Sequence, residues 1–391
     1  MCDTFCYVTE EGTFFAKNSD RPVNEAQLVK AYKTRQKSEI LQTQYLKIKD
    51  EGAFAIVLSQ PEWLWGAEHG VNDKKVAVGN EKIYTVDDPY QHKEALIGMD
   101  LVRLVLERAS SAQEGVEILG ELLEKYGQGG IADIYTNEPY WSSFLISDPF
   151  EAYVVETSHN KWAAKKFTDK AAISNRITLK EFDLASKDLK GISCFDDLRN
   201  KDAPTQHADV RLSANQKFLE EISKRPNVTI YDFIEQLRDH NGKNPPPKLV
   251  TPFGEGITVC MHVKDFQLTQ ASMVCYLPKA PHLNPKAFFA LANPCSSIFL
   301  PAMVPKFVPR VLSERETWRT FYTISRLTEQ NDQAYYEVTS RLNALEATLI
   351  SQSIEIGDNE EKWEEFISYV DYAITRYLED IKSYSELDLN R

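Results

Sequence analysis

Cys2 is the residue whose type and position could do chemistry in this chain of 391 residues. Initiator methionine is generally trimmed before a small residue, so we expect a mature chain that begins at Cys2. Its thiol titrates near ~8.5 and its free α-amine at about 7.7–8.0, so the amine can accept the thiol proton directly or through one water. One residue then carries both nucleophile and base. The alternative is that Cys2 is a small apolar residue of a strand.

Lys17 and Asp20 are the charged residues expected to lie beside Cys2. Two strand-like runs, 5–8 and 13–17, flank a short turn and predict a hairpin. The hairpin would return Lys17 and Asp20 to the start of the chain. A cation there favours a thiolate and an oxyanion, and Asp20 could hold the new amine by a charge-assisted hydrogen bond. A solvated Lys–Asp pair in a turn is the alternative.

The cysteines and histidines show no spacing typical of a metal site. The six cysteines are scattered: Cys2, Cys6, Cys194, Cys260, Cys275 and Cys295. The seven histidines form no HExxH or comparable cluster, so we expect no protein-bound metal and no cofactor. Cys2 and Cys6 would lie roughly 13 Å apart on one strand, too far for a disulfide. A reducing cytosol is the economical interpretation.

Composition excludes two classes of partner. Lysine and arginine number 45 against 58 acidic residues, a net charge of −13, which argues against a nucleic-acid or anionic-membrane surface. No apolar run approaches the ~18 residues of a membrane span, and no charged-then-apolar leader precedes the first strand. The 42% hydrophobic and 26% charged content is typical of a globular protein, and we expect it to be cytoplasmic.

Local periodicity predicts strands and helices in separate blocks. Strands are expected over most of the first sixty residues, at 75–78 before Gly79-Asn80-Glu81, between 143 and 174, and at 257–262 and 273–277. Helices are expected from 94 to 127, at 210–222 and at 229–238. After Pro309 two long apolar stripes flank a turn at 357–359 and predict a helical pair. Core packing of this pair is favoured over a contact between subunits.

Several stretches in fixed order carry a resemblance to a known family. They are Cys-Asp-Thr-Phe at 2–5, Lys-Asn-Ser-Asp-Arg at 17–21, Trp-Leu-Trp-Gly-Ala-Glu-His-Gly-Val-Asn at 63–72, Gly-Asn-Glu at 79–81, Gly-Met-Asp-Leu-Val-Arg at 98–103 and Glu-Lys-Tyr-Gly-Gln-Gly-Gly at 124–130. The chain thus resembles the secernins, which belong with the bacterial dipeptidases of family C69 in the N-terminal-nucleophile (Ntn) hydrolase superfamily. The resemblance implies an α+β fold, a four-layer αββα sandwich over 2–310, with a helical extension over 311–391.

The resemblance also implies site residues. Asn80 takes the position of an oxyanion-binding asparagine, and its side-chain amide is a suitable donor. Asn175 takes the second active-site asparagine position, with a strand-end turn residue as the alternative. Arg211 stands where related enzymes place an arginine near the active centre and is expected to bind substrate; a surface helix residue is the alternative. Trp63 and Trp65 would lie on one side of an extended segment, and Trp65 is expected to line the substrate pocket. Lys17 is also expected to contact the substrate. A core aromatic pair is the alternative for the tryptophans.

Three functions are consistent with these features. The first is a cysteine-type dipeptidase that cleaves short peptides with a free N-terminus. The second is an Ntn amidase that acts on non-peptide acyl amides. The third is a secernin-like regulator of secretion that acts through partners. The chemically competent reactive positions favour the two enzymes.

Overall fold

The computed structural model describes residues 1–189, 191–246, 256–263 and 266–388, with side chains described as far as residue 381. Within these residues the strands are β1 Cys2–Val8, β2 Gly12–Pro22, β3 Gln27–Tyr32, β4 Ser38–Gln42, β5 Lys47–Asp50, β6 Ile56–Pro61, β7 His69–Asn72, β8 Ala77–Ile83, β9 Ile131–Asp133, β10 Glu138–Pro139, β11 Trp141–Ser147, β12 Ala152–Ser158, β13 Lys161–Phe167, β14 Lys170–Ile173, β15 Leu184–Ala185, β16 His262–Val263, β17 Gln267–Pro278, β18 Lys286–Leu291 and β19 Leu300–Met303. The α-helices are α1 Gly98–Arg108, α2 Ala112–Tyr126, α3 Gln206–Ile222, α4 Ile230–Leu237, α5 Arg315–Thr328, α6 Asp332–Ile356 and α7 Glu360–Asp388.

Two large antiparallel sheets form the centre of the fold. Sheet I has the strand order β14-β1-β2-β17-β18-β19, with β16 paired to β17. Sheet II has the order β15-β13-β12-β11-β8-β7-β6-β3. In sheet I the predicted hairpin pairs β1 with β2, so that Cys2 lies opposite Ser19. The start of the chain is therefore held in the interior of a sheet, between β14 and β2.

Three apolar layers show how the sheets and helices stack. The first lies between the two sheets and contains Phe15 and Met273 of sheet I with Leu145 of sheet II. The second joins sheet II to α1 and α2, and the third joins sheet I to α3 and α4. Each strand has one face toward the layer between the sheets and the other toward the helices that cover its sheet, because side chains alternate along a strand. The helix, sheet, sheet, helix order confirms the predicted four-layer αββα fold.

Of the helices that cover sheet II, α2 begins and ends where the sequence predicts, whereas α1 begins at Gly98, four residues after the predicted start at 94. Ser111 caps α2 by accepting a hydrogen bond from the Glu114 backbone N–H, and Gly127 ends it with φ of 72°. A left-handed backbone at this position favours glycine.

The C-terminal helices pack on the sandwich. Trp318 of α5, Leu349 of α6 and Trp363 of α7 belong to the apolar layer that fills the space between the two sheets. The expected turn at 357–359 separates α6 from α7. Self-association through these helices and the boundary at residue 310 stay predictions, and residues 389–391 of the predicted extension lie outside the described residues. In the part of the chain that the structure describes, every helix is too short or too polar to cross a bilayer.

Several strand predictions are wrong in their bounds; β17, for example, begins at Gln267, six residues before the predicted start at 273. β8 continues through Asn80 to Ile83, because β11 pairs with it along its whole length. Most of the predicted strand at 257–262 is irregular, and only His262 belongs to a strand. The hydrogen bonds of this segment go elsewhere: the Cys260 N–H bonds to the Asp239 carbonyl and the Met261 N–H to the Thr269 hydroxyl.

Candidate active site

The Cys2 thiol lies in a buried, charged environment at the start of β1. Cys2 is 5% exposed, and its Sγ lies 3.9 Å from Oε2 of Glu68 and 4.0 Å from the carbonyl oxygen of Asp20. Burial raises the pKa of the thiol to about 11, while the nearby Lys17 ammonium acts to lower it. A thiol in this environment needs an adjacent base to become a nucleophile. Cys2, like the other five cysteines, is not in a disulfide.

The backbone of Cys2 is held by Asn175 and Arg211. The Cys2 N–H donates to Oδ1 of Asn175 over 2.7 Å, and Arg211 Nη2 donates to the same oxygen over 2.8 Å. Arg211 Nη1 also donates to the Cys2 carbonyl oxygen over 3.1 Å. Asn175 is fixed in turn by its Nδ2, which donates to the Lys82 carbonyl over 2.9 Å. The nitrogen that would become an α-amine therefore has a defined acceptor.

Arg211 reaches this position from α3, on the outer face of sheet I. Its side chain is fully buried and pairs with Asp3 at 2.6 Å and with Asp20 at 3.4 Å. Burial acts to lower the pKa of Arg211, but the two carboxylates outweigh it and the net shift is upward. Asp20 also accepts a hydrogen bond from the Thr269 hydroxyl at 2.7 Å. Burial raises the pKa of Asp20 to about 6, against Arg211 and the N-terminal ammonium, which lower it.

Lys17 lies on the face of sheet I that looks toward sheet II. Its ammonium donates to the Asn80 carbonyl over 2.7 Å and to Oε1 of Glu81 over 3.2 Å. Burial acts to lower the pKa of Lys17, and Cys2 and Glu81 raise it, with a net upward shift. Gly79 leaves room for the lysine stem, because a Cβ there would lie 2.5 Å from Lys17 Cδ. Lys17 is thus a buried cation whose hydrogen bonds are to protein groups.

Asn80 joins this group through its backbone. Its side chain points to the opposite face of β8 from Gly79 and Glu81, toward α1, where Nδ2 lies 3.6 Å from Sδ of Met99. A thioether is a weak acceptor. The Oδ1 of Asn80 is buried without a hydrogen-bond partner among the described residues. The amide is therefore weakly held, and it lies on a different face from the Lys17 ammonium.

Trp65 is not among the described contacts of Cys2. Its indole ring stacks on the guanidinium of Arg103, 4.3 Å from the ring centroid, and its backbone N–H bonds to Gln44. Its ring packs with the apolar layer between sheet II and the helices. The structure thus brings together Cys2, Lys17, Asp20, Asn175 and Arg211, with Asn80 joined through its carbonyl, and places Trp65 apart from them.

Three charged residues near Cys2 had no role in the sequence-based prediction. Asp3 binds Arg211, and Glu68 lies between the Cys2 thiol and Arg21, whose Nη1 is 3.2 Å from Oε1 of Glu68. Asp3, Glu68 and Arg21 are all buried. The available signal was their position inside the stretches 2–5, 17–21 and 63–72, where charged residues interrupt buried strands and turns.

Four ligand-type side chains meet in the structure, although their sequence spacing does not indicate a metal site. His240, Cys260, His262 and Cys295 are all buried, and their ligand atoms lie within 4.8 Å of one another. This cluster lies apart from Cys2, at the ends of α4 and β18. Sequence spacing missed it because the four residues come from three separate segments, around 240, 260–262 and 295.

Comparison with known proteins confirms the family resemblance over part of the chain. Residues 57–219 match the model of peptidase family C69. A probable dipeptidase B of Lactococcus lactis subsp. lactis (strain IL1403) is 33% identical over 147 residues, which cover 35% of this chain and 28% of that protein. A dipeptidase of Bifidobacterium longum (strain NCC 2705) is 30% identical over 181 residues, which cover 40% of this chain and 31% of that protein. The chain thus spans about a third of the length of these relatives.

A solved structure is also similar. Penicillin V acylase from Agrobacterium tumefaciens matches with a TM-score of 0.48 and 14% identity, covering 78% of this chain and 87% of that one. The family match includes Asn80, Asn175 and Arg211 and begins beyond Cys2. The case for Cys2 therefore depends on the geometry around it.

Proposed function

We propose that this chain is a cysteine-type amide hydrolase, with Cys2 as the N-terminal nucleophile after removal of Met1 and with dipeptides as substrates. The observation that carries the proposal is the 2.7 Å hydrogen bond from the Cys2 nitrogen to Asn175. After removal of Met1 this nitrogen is the α-amine of the residue that bears the thiol. Nucleophile and base then lie on one residue and are held by one asparagine and one arginine.

The proposed reaction has two halves. The α-amine of Cys2 takes the thiol proton, and Sγ attacks the carbonyl carbon of the scissile amide. The C–N bond breaks as the ammonium returns the proton to the leaving amine, and a thioester remains on Cys2. Water, deprotonated by the same amine, then cleaves the thioester to release the carboxylic acid and restore the thiol.

Charged neighbours support this chemistry without touching the scissile bond. The buried Lys17 ammonium stabilises negative charge on Sγ and on the developing oxyanion. Arg211 donates to the Asn175 oxygen that accepts from the Cys2 nitrogen, and Arg211 in turn pairs with Asp20, so both charges lie close to the future amine. The predicted role of Asn80 as oxyanion donor, together with a backbone N–H, requires its amide to leave the weak Met99 acceptor and turn toward the face of β8 that carries the Lys17 ammonium. Substrate contacts by Lys17 and Trp65 stay predictions.

Dipeptides are supported by the way Met1 is held. The Met1 ammonium donates to the Asp20 carbonyl over 2.9 Å and to Oε1 of Gln267. The Met1 side chain packs against Ile257, Met261 and Val263. Removal of Met1 leaves two acceptors for an ammonium and a small apolar recess beside Cys2. The free N-terminus of a peptide matches these acceptors, whereas a non-peptide acyl group does not.

A cytosolic location is part of the proposal, because all six cysteines are free thiols and free thiols persist in a reducing compartment.

The test is turnover by purified, untagged protein whose intact mass shows loss of Met1 alone. A panel of dipeptides and acyl amides should reveal hydrolysis of dipeptides with a free amine, and N-acetylation of the same dipeptides should greatly raise KM. Cys6→Ala is the matched control, because Cys6 is a buried thiol of the same strand in the layer between the sheets. Turnover of acyl amides alone would move the substrate class to amidase. Turnover of neither set would favour the non-enzymatic, partner-binding function.

A further inference from the structure

Four ligand-type side chains converge at the edge of sheet I. Nε2 of His262 lies 3.2 Å from Nε2 of His240, 3.3 Å from Sγ of Cys260 and 3.4 Å from Sγ of Cys295. All four residues are buried, with at most 5% of any of them exposed. One ring nitrogen offers a single donor or acceptor site, so it cannot satisfy three such neighbours.

The outer nitrogens of the two histidines fix which way the lone pairs point. Nδ1 of His262 lies 2.5 Å from Oε1 of Glu329, and Nδ1 of His240 lies 3.2 Å from the Lys243 carbonyl. Both acceptors are oxygens, so each Nδ1 donates. In the neutral rings the two Nε2 atoms then carry lone pairs that face each other at 3.2 Å. Such an arrangement is repulsive unless a proton or a metal ion lies between them.

From this geometry we propose that His240, Cys260, His262 and Cys295 bind one zinc ion. Zinc bonds of about 2.3 Å to sulfur and 2.0–2.1 Å to nitrogen, arranged tetrahedrally, place ligand atoms roughly 3.3–3.8 Å apart. The three distances from Nε2 of His262 are close to this range. Two sulfurs with two imidazole nitrogens are the ligand set that selects zinc over harder ions.

Hydrogen bonds outside the ligand set complete the site. Metal-bound histidines usually donate their other ring N–H to a carboxylate or a carbonyl, which fixes the tautomer. His262 with Glu329 and His240 with Lys243 supply one example of each. Two thiolates balance the double charge of zinc, so the buried site would be neutral.

The site would be structural, because four protein ligands leave no open position for water or substrate. The ligands tie the loop after α4 to the segment before β16 and to the turn after β18. Glu329, which directly follows α5, contacts His262 and so connects the C-terminal helices to the same site. A cavity of about 380 Å³ is lined by His240 and Cys295, and gives zinc a route to the ligands.

The ion would also steady the outer side of the Cys2 region. Asn18 of β2 donates through Nδ2 to the carbonyls of Leu237 and Val259, one from each of the two tethered segments. Asp20 lies two residues after Asn18 on β2. Loss of zinc should therefore loosen β2 near the active site in addition to the loops themselves.

The experiment is metal analysis of the full-length protein purified without chelators, with zinc supplied during expression. We expect about one zinc ion per chain, and, when cobalt replaces zinc, the visible d–d bands and near-ultraviolet thiolate charge-transfer bands of tetrahedral Co²⁺. Cys260→Ser and Cys295→Ser should each lose the bound ion. Cys275→Ser, a buried thiol of the same sheet outside the cluster, should retain it.

Two further measurements keep the proposal testable if the cysteine variants do not fold. Glu329→Gln keeps all four ligands and should weaken zinc binding by about 10–100-fold, as loss of a partner of a ligating histidine typically does. Thiol modification of wild-type protein by an organomercurial should release the ion. A protein that contains no stoichiometric zinc, and that takes up neither zinc nor cobalt after gentle reduction, would overturn the proposal whether or not the chain hydrolyses peptides.

Discussion

Two regions of this molecule bury thiols, and their surroundings give the thiols opposite uses. Around Cys2 the neighbours are charges of both signs, Lys17 and Glu68, and the backbone nitrogen of the same residue is held by Asn175. Around Cys260 and Cys295 the neighbours are imidazole nitrogens with inward lone pairs. A proton acceptor beside a thiol favours nucleophilic attack, whereas a ring of lone pairs favours a metal ion. The difference lies in the neighbours, since all three thiols are buried.

The two regions are linked by one short chain of hydrogen bonds. The Thr269 hydroxyl accepts from the Met261 N–H at 2.9 Å and donates to Asp20 at 2.7 Å. Met261 lies between Cys260 and His262 in sequence. The link is through backbone and hydroxyl groups, so chemistry at one site does not require the side chains of the other.

The largest expected effect separates the two thiol environments. Cys2→Ala should reduce turnover to the background rate, because it removes the nucleophile, while the zinc content stays the same. Peptide hydrolysis and metal analysis on the same preparation provide both readouts. Cys275→Ser should change neither. Loss of zinc from a folded Cys2→Ala protein would break the distinction between the regions.

Arg211 provides the next largest effect, on stability. Arg211→Gln leaves Asp3 and Asp20 as buried carboxylates without their cation. Removing one partner of a buried ion pair typically costs about 3–5 kcal/mol. Urea unfolding should show this loss in the free energy of unfolding.

The control for Arg211 is a second change on the same ion pair. Asp3→Asn in the Arg211→Gln protein should recover part of the lost stability, because it removes one unpaired charge. An Arg211→Gln protein as stable as the wild type would mean that the arginine is not needed to compensate the two carboxylates.

Asn80 tests the oxyanion site. Asn80→Ala should lower kcat by about 10²–10³, the usual result of deleting one oxyanion donor, with an unchanged unfolding midpoint and zinc content. Single-turnover measurement of thioester formation would locate the defect in the chemical step. A folded variant with normal turnover would remove Asn80 from the catalytic set, in agreement with the direction of its amide toward Met99.

The smallest effect is a pH dependence from Asp20. Burial raises the pKa of this carboxyl to about 6, so it gains a proton as the pH falls through that value and loses its attraction for the amine. Deprotonation of the Cys2 α-amine already makes kcat/KM rise with pH, so ionisation of Asp20 should steepen the rise near pH 6, and Asp20→Asn should lack that added component. A profile that keeps the same rise in Asp20→Asn would assign it to another group.

The same pKa shift makes the free energy of unfolding decrease as the pH rises, whereas kcat/KM increases. A carboxyl whose pKa is raised from 3.8 to about 6 by folding stabilises the folded state at low pH, and this contribution is lost as the pH rises through about 6. Asp20 is thus kept ionised at neutral pH at a cost in stability.

Sequence periodicity predicted many of the strands and helices, though not β18 or β19, and the family resemblance predicted most of the residues around Cys2. The hairpin that returns Lys17 and Asp20 to Cys2 follows from local strand and turn patterns. The contacts of Asn175 and Arg211 with Cys2 join residues 173 and 209 positions apart, and only the resemblance indicated them. Local patterns cannot supply such pairs because tertiary packing sets them.

The remaining features depend on packing that a single sequence does not reveal. Glu68 and Asp3 acquire their roles from buried ion pairs across separate strands and helices. His262 meets its cluster partners across 22, 2 and 33 positions, a spacing unlike that of compact zinc motifs. The direction of the Asn80 side chain was missed because β8 runs on past the point where its apolar pattern ends.

The most direct test of the central claim is turnover by protein that carries an uncleavable extension ahead of Cys2. The extension converts the α-amine into an amide, which has no useful basicity near neutral pH, while the thiol remains in place. Unextended protein of confirmed mass should hydrolyse dipeptides, and the extended protein should be as inactive as Cys2→Ala while it retains its zinc and its unfolding midpoint. Normal turnover by the extended protein would show that another group is the base, and would contradict the assignment of nucleophile and base to Cys2.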